Sequence, residues 1–184
     1  MKKDLGPKNL IYPQPVLIIS TYDENNVPDA MTAAWGGISD TNEIHICLSK
    51  EHKTTKNILL KKEFVVSMGT KETVVACDYV GMISGNDETD KLEKVLWHTR
   101  KSEHIDAPII DELRLALECQ LISYDEESGH LYAKIINVVA DEEILKEGKI
   151  DLDVYHPLLF DGDNHTYHTI GEKVGKAFED YKKL

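Results

Sequence analysis

Apolar and polar residues alternate with a period of two along several segments of this chain, a pattern typical of β-strands with one buried face. The longest alternation covers residues 113–121, where every second position from Leu113 to Leu121 is a leucine or a cysteine. An α-helix repeats its apolar face about every 3.6 residues, so this segment is predicted to be a strand. Residues 44–48 alternate in the same way and predict a second strand.

Polar turns connect some of these strands into hairpins. Residues 16–22 form a β-branched and aromatic run that ends at the polar cluster 23–26, and residues 30–35 are compatible with the return strand. Asn26 suits this turn because asparagine tolerates a positive φ. The segment 125–129 is predicted to connect the long strand to another in a second hairpin. The remaining strands are predicted over residues 64–68 and 130–139.

Short helices are predicted between and after the strands, over residues 54–62, 70–79, 90–97 and 172–183. Six or more strands with few helices, and no regular strand–helix alternation, favour an antiparallel sheet or barrel over a doubly wound parallel sheet. The chain has no G-x-G-x-x-G fingerprint and no phosphate loop of the G-x-x-x-x-G-K-[ST] type. We therefore expect a mainly β fold.

Length and charge narrow the classes of function. A chain of 184 residues that is 41% hydrophobic suits a single domain, residues 1–184, with its own core. Its net charge of −12 disfavours binding to nucleic acid and to anionic membrane surfaces, because phosphate-rich partners are held by clustered basic side chains. Residues 1–60, however, hold 6 basic and 7 acidic side chains, so this part can contain an anion site.

Several classes of site and location have weak or no support in the sequence. The start of the chain lacks the apolar stretch of a secretory signal, and no run approaches the ~20 apolar residues of a membrane span, so we expect a cytoplasmic protein. The three cysteines form no C-x-x-C pair, and the eight histidines match no zinc spacing, so no metal site is expected. A G-x-S-x-G nucleophile elbow is also absent.

Residues 48–57 form the junction between a predicted strand and a predicted helix. A helix start exposes unpaired backbone N–H groups at the positive end of the helix dipole. Lys50, Lys53 and Lys56 add positive charge here against the single acid Glu51. This junction suits a phosphate group, although a solvated loop with an ordinary threonine N-cap is the alternative interpretation.

Two further loops contain turn residues, but neither loop by itself predicts a function. Residues 84–91 combine a glycine with a candidate N-cap and a lysine, which is also the pattern of a plain capped helix. Residues 157–167 contain several turn residues and end on a tyrosine.

Four segments together carry a resemblance to a known family. They are P-V-L-I-I-S-T leading to M-T-A-A-W-G-G (residues 15–37), the junction 48–57, S-G followed by D-K within 84–91, and P-L-L-F with Tyr167, Gly171 and Glu172. In this order they resemble the flavin reductase-like family of FMN-binding split barrels, and most closely its flavoredoxin-type members. The resemblance covers about residues 10–175 and implies an antiparallel split β-barrel with flanking short helices.

The resemblance implies a homodimer that binds FMN near the subunit interface. Residues 32–35 would follow the isoalloxazine and ribityl region, Lys91 would come close to the flavin, and Tyr167 would approach from the C-terminal loop. The phosphate would be held by Ser49, His52, Lys53 and Thr54. Many relatives carry arginine where Ser49 and His52 stand, so the phosphate would rely more on Lys50 and Lys53. The implied cofactor-binding residues are Thr32, Ala33, Ala34, Trp35, Leu48, Ser49, Lys50, His52, Lys53, Thr54, Ser84, Lys91 and Tyr167.

The family contains both enzymes and electron carriers. The sequence is compatible with a flavin reductase that takes NADH or NADPH as substrate and with a flavoredoxin that exchanges electrons with a protein redox partner. A non-enzymatic FMN-binding or flavin-storage protein is the alternative from another class, and a barrel that has lost its ligand is a third. The flavin ring itself carries redox chemistry, so no catalytic nucleophile or general base is expected.

Overall fold

The computed structural model describes all 184 residues. The strands are β1 (Gln14–Pro15), β2 (Leu17–Tyr22), β3 (Pro28–Ala33), β4 (Gly36–Asp40), β5 (Glu43–Cys47), β6 (Glu63–Met68), β7 (Thr99–Lys101), β8 (Pro108–Ile110), β9 (Leu115–Tyr124), β10 (His130–Ala140), β11 (Leu145–Lys146), β12 (Lys149–Ile150), β13 (Leu158–Asp161) and β14 (Thr166–Thr169). The helices are α1 (Lys53–Lys61), α2 (Val74–Met82), α3 (Lys91–Lys94) and α4 (Leu152–Tyr155). Short 3-10 turns cover Lys71–Thr73, Glu142–Ile144 and Asp180–Lys183.

A seven-stranded antiparallel sheet organises the fold, in the order β3-β2-β6-β9-β10-β5-β4. It curls into the half-barrel of an antiparallel split barrel, as expected from the strand pattern and the family resemblance. A smaller sheet, in the order β1-β13-β14, joins it through a hydrogen bond from the Leu158 amide to the Gly69 carbonyl. No helix has both the length and the apolar character needed to cross a membrane.

Apolar side chains cover both faces of strand β2, which lies between β3 and β6. Leu17 and Ile19 point into a cluster that includes Phe64, whereas Val16, which precedes the strand, and Ile18 belong to a second cluster against α2. All these side chains are buried. Burial on two faces fixes the register of the strand, because a slip by one residue would exchange the two sets.

The predicted hairpins are confirmed. β2 and β3 pair from Leu17↔Ala33 to Tyr22↔Pro28, and Asn26 in their turn has a φ of 60°. β9 and β10 pair as the second hairpin, although β9 begins at Leu115 rather than at residue 113. The strands predicted over residues 44–48 and 64–68 correspond to β5 and β6.

The single buried face predicted for residues 113–121 is an incomplete description. Ala116 and Glu118, on the opposite face of β9, are also buried. The Glu118 carboxylate, which is 0% exposed, accepts hydrogen bonds from Ser102 Oγ at 2.5 Å and Asn137 Nδ2 at 2.7 Å, and lies 3.0 Å from His104 Nδ1. A buried carboxylate requires such partners, and the sequence alternation alone does not reveal them.

The helix predictions hold except at the C-terminus. The segment 54–62 forms α1, 70–79 forms a 3-10 turn followed by α2, and 90–97 contains only the four residues of α3. The helix predicted over residues 172–183 is wrong, since only the turn Asp180–Lys183 is present. Val174 and Phe178 are 91% and 93% exposed, so no apolar surface stabilises a helix there, and a short helix is marginal without packing.

Phe64 on β6 is fully buried, so shortening its side chain should strongly lower the stability of the fold. Replacing Phe64 with alanine should lower the free energy of unfolding by about 3–5 kcal/mol, because a buried phenylalanine leaves a cavity. Val75→Ala on the exposed face of α2 is the control and should leave stability nearly unchanged. Chemical denaturation measures both, and equal losses in the two variants would contradict the assignment of the core.

Candidate functional site

A pocket of about 200 Å³ lies beside the end of β3. Helix α2 packs tightly against β3 here, since a Cβ on Gly81 would lie 2.9 Å from the Thr32 Cβ. Thr32 Oγ1 also donates a hydrogen bond of 2.5 Å to the Cys77 carbonyl. Beside this contact, the small side chains of Ala33 and Ala34 leave a narrow strip open next to the helix. The pocket is lined by Val16, Thr32, Ala33, Ala34, Asp78, Gly81, Met82, Phe160 and Tyr167.

Tyr167 closes one side of this pocket. Its hydroxyl donates a 2.8 Å hydrogen bond to Asp78, and its ring centroid lies 5.8 Å from that of Phe160. Burial, together with the hydrogen bond and negative charge of Asp78, raises the pKa of Tyr167 to about 12. The phenol thus stays protonated at neutral pH, and its free side is a hydrogen-bond acceptor rather than an anion.

The start of α1 forms a second part of the site. Its N-cap is His52, whose side chain makes no capping hydrogen bond, and its first turn contains no acidic residue. Lys50 and Lys56 are exposed and form no ion pair. No side chain caps the first amides of the helix, and this free end suits a bound phosphate group.

The carboxylate of Asp29, on β3, contacts this junction directly. Thr54 Oγ1 donates a 2.6 Å hydrogen bond to one carboxylate oxygen of Asp29, and Lys91 Nζ lies 3.1 Å from the other. Lys91 is 2% exposed and also donates to the Ile83 carbonyl at 3.4 Å. A Cβ on Gly85 would lie 2.6 Å from Asp29, so only glycine allows the loop that carries Ser84 to approach this closely.

These pairs change the charge balance expected from the sequence. Lys53 pairs with Asp23 at 3.4 Å, as Lys91 pairs with Asp29, so both lysines are neutralised by the β2–β3 hairpin. The positive character of the junction rests instead on the helix start and on Lys50. Burial and the nearby charge of Lys91 lower the pKa of His52, which favours its neutral form.

A third group of predicted residues borders another cavity. Trp35, in the link between β3 and β4, is 56% exposed, and its carbonyl accepts a hydrogen bond from the Cys47 amide at 2.8 Å. It borders a cavity of about 370 Å³ together with Leu48, Ser49 and Lys50. The Leu48 side chain belongs to the core, and its carbonyl already accepts from the Tyr124 hydroxyl, so it can offer little to a ligand.

The thirteen predicted residues thus fall into three groups. The pocket group contains Thr32, Ala33, Ala34 and Tyr167; the link group contains Trp35, Leu48, Ser49 and Lys50; the junction group contains His52, Lys53, Thr54, Ser84 and Lys91. Sequence reasoning missed Asp23, Asp29, Asp78 and Gly81. Asp29 lies one residue before the return strand predicted over residues 30–35, and no pattern in the sequence indicated its burial.

Comparison with known proteins identifies the family. Residues 9–170 match the flavin reductase like domain, and the chain belongs to this family. Its structure is similar to flavoredoxin of Desulfovibrio vulgaris (Miyazaki F), with a TM-score of 0.93 and 34% sequence identity over 97% of this chain and 98% of that chain.

Two further solved structures share the fold. Flavoredoxin from Methanosarcina acetivorans has a TM-score of 0.88 and 25% identity, and 99% of each chain is covered. An FMN-binding domain of flavin reductases-like enzyme from Shewanella baltica OS155 has a TM-score of 0.81 and 22% identity over 89% of each chain. The split-barrel fold is therefore common to these proteins.

The buried Lys91–Asp29 pair predicts that replacing two different lysines of α3 will change the free energy of unfolding by unequal amounts. Lys91→Met should lower the free energy of unfolding by about 3–5 kcal/mol, because it leaves the Asp29 carboxylate buried without its cation. Lys94→Met is the control and should cost much less, since its partners Glu88 and Asp90 are exposed to solvent.

Denaturant unfolding of the single variants and of the double variant Asp29→Asn/Lys91→Met measures this. The double variant should recover part of the stability that Lys91→Met loses. Equal effects of Lys91→Met and Lys94→Met would show that the buried pair is not formed.

The turn of the first hairpin predicts a pH dependence. Burial acts to raise the pKa of Asp23, but amide hydrogen bonds from Val27 and Asn25, together with Lys53, outweigh it and lower that pKa. A lowered folded-state pKa stabilises the protein above the unfolded-state value and loses this effect as the pH falls through the folded-state value.

Asp23→Asn should therefore be less stable than the parent at neutral pH. The difference should shrink as the pH falls below the ordinary carboxyl pKa of 3.8. Free energies of unfolding measured across this range for both proteins provide the check. A difference that stays constant down to the acid limit of folding would be inconsistent with the lowered pKa.

Proposed function

We propose that this protein binds FMN along β3 and serves in flavin-dependent electron transfer. The observation that carries the proposal is the start of α1, which has no side-chain cap and no acid in its own first turn, together with the pocket beside the end of β3 that Tyr167 closes. A phosphate and a flat apolar ring are the two ends of FMN, and the site offers a partner for each. Membership of the flavin reductase-like family supports the same ligand.

Different residues would bind the phosphate and the ring of FMN. Ser49, Lys50 and the first amides of α1 would hold the phosphate, since these donors are not used by carboxylates of the protein. Thr32, Ala33 and Ala34 would border the ring, because longer side chains would fill the strip beside Gly81. When bound, FMN supplies an isoalloxazine ring that takes up and returns electrons one or two at a time.

Lys91 would act as a positioning residue in this site. Its ammonium group is held by Asp29 and by the Ile83 carbonyl, so it fixes the Asp29 carboxylate that in turn orients Thr54 at the helix start. Its positive charge still lies close enough to His52 to lower the pKa of that residue. The same field would favour a reduced, negatively charged ligand nearby.

A second copy of the chain is part of the proposal. Ile38 on β4 and Ile136 and Val138 on β10 are exposed apolar side chains on the half-barrel, and pairing of two copies would cover them.

The net charge of −12 would suit docking of the dimer to a basic protein redox partner. NADH or NADPH is the alternative source of electrons.

The binding site is tested by comparing FMN with riboflavin, which lacks the phosphate. The purified protein should bind FMN, and riboflavin should bind at least about tenfold more weakly because the helix start then has no anion to hold. Lys50→Ala should weaken FMN binding several-fold and leave riboflavin binding unchanged. Lys149→Ala, on the β11–β12 hairpin, is the matched control and should affect neither ligand.

Fluorescence quenching of free flavin during titration gives the dissociation constants. Equal affinity for FMN and riboflavin would contradict phosphate binding at α1, and failure to bind either would contradict the proposed cofactor. Steady-state oxidation of NADH or NADPH by the FMN-loaded protein then separates the classes. Turnover supports a flavin reductase, whereas bound flavin that nicotinamides do not reduce supports a carrier or storage protein.

A further inference from the structure

Three metal-ligating side chains meet on the outward face of the half-barrel. His45 and Cys47 are two residues apart on β5, so both point to the same face, away from the buried Ile44 and Ile46. His130 on β10 lies directly opposite Cys47 in the strand pairing and shares that face. The sheet thus gathers residues that are separated by more than eighty positions in sequence.

The ligand atoms of this cluster are close to one another. His45 Nε2 lies 2.8 Å from His130 Nδ1 and 3.8 Å from Cys47 Sγ, and all three atoms lie within 4.8 Å of each other. A tetrahedral zinc ion, with bonds of about 2.0–2.1 Å to nitrogen and about 2.3 Å to sulfur, holds such atoms about 3.3–3.7 Å apart. Side-chain shifts of less than about 1 Å would therefore create this geometry.

The surroundings favour small adjustments of the side chains on a fixed backbone. The flanking pairs Leu131↔Ile46 and Tyr132↔His45 hold β5 and β10 in register, and the Tyr132 ring packs 4.8 Å from the His45 ring. The three ligand side chains are partly or fully exposed, so their rotamers are less constrained than those of the core. A cavity of about 450 Å³ opens onto His45 and Cys47 beside Trp35, which leaves space for a fourth ligand.

We propose that His45, Cys47 and His130 form a binding site for a thiophilic divalent cation of the zinc class. Two imidazoles and one thiolate are ligands that Zn²⁺ prefers, and three protein ligands leave the fourth position open to water or to an exogenous anion. Binding converts the Cys47 thiol to a thiolate and releases its proton to solvent. The three ligands are not among the residues proposed to hold FMN, although His45 and Cys47 border the same cavity as Trp35.

Co²⁺ and Zn²⁺ are the probes, added singly to the full-length protein under a non-chelating reductant. The parent protein should bind one equivalent of Co²⁺ and develop the visible ligand-field bands of tetrahedral Co²⁺, which lie at longer wavelengths than the absorbance of oxidised flavin. Zn²⁺ should abolish these bands by displacement. Cys47→Ser, His45→Ala and His130→Ala should each weaken Zn²⁺ binding by more than about tenfold.

His168→Ala is the matched control, because His168 is an exposed histidine on β14 with Thr166 as its neighbour, and it should bind Zn²⁺ like the parent. Thermal unfolding of each variant without metal confirms that it is folded. A parent that binds no Zn²⁺, binds it no better than the three variants, or gives only the spectrum of octahedral Co²⁺ would overturn the proposal. Metal binding is measured without flavin, and FMN titration of the parent is measured without metal, so failure of the metal site is distinguishable from failure of the flavin site.

Discussion

The buried carboxylate of Asp29 is the interaction on which the site depends. It lies near the start of β3 and is contacted by Thr54 at the start of α1 and by Lys91 at the start of α3, while Gly85 leaves room for the intervening loop. Three segments that are distant in sequence are thereby fixed to one group. Because a buried charge is costly without partners, the same contacts stabilise the fold and hold the helix start beside the strand.

This arrangement explains how an acidic chain can offer an anion site. The acids of the β2–β3 hairpin are used internally, since Asp23 and Asp29 pair with Lys53 and Lys91. What remains at the surface of the junction is the uncapped start of α1 with Lys50, which forms no ion pair. Local geometry, rather than net charge, therefore decides which ligand fits here.

Much of the scaffold was predictable from local patterns. The period-two alternation and the polar turns predicted the two hairpins, and Asn26 has the positive φ expected of it. The pattern failed where stability depends on packing that the sequence does not display. The C-terminal segment has no surface to pack against, and Glu118 is buried because a distant loop covers it.

The site was predictable only as a set of segments. The resemblance identified residues that the structure places in three groups, but it could not reveal that Lys53 and Lys91 are already paired, because their partners lie in the β2–β3 hairpin, distant in sequence. The His45, Cys47 and His130 cluster was missed for the same reason. Its members match no spacing in sequence and meet only through the register of β5 with β10.

A crystal structure of the protein soaked with FMN is the most direct test of the proposed site. We expect density for the phosphate at the first turn of α1, density for the ring along Thr32–Ala34, and an unchanged Lys91–Asp29 pair. Density for FMN elsewhere, or a phosphate bound by Lys53 and Lys91 after their carboxylate pairs have broken, would contradict it.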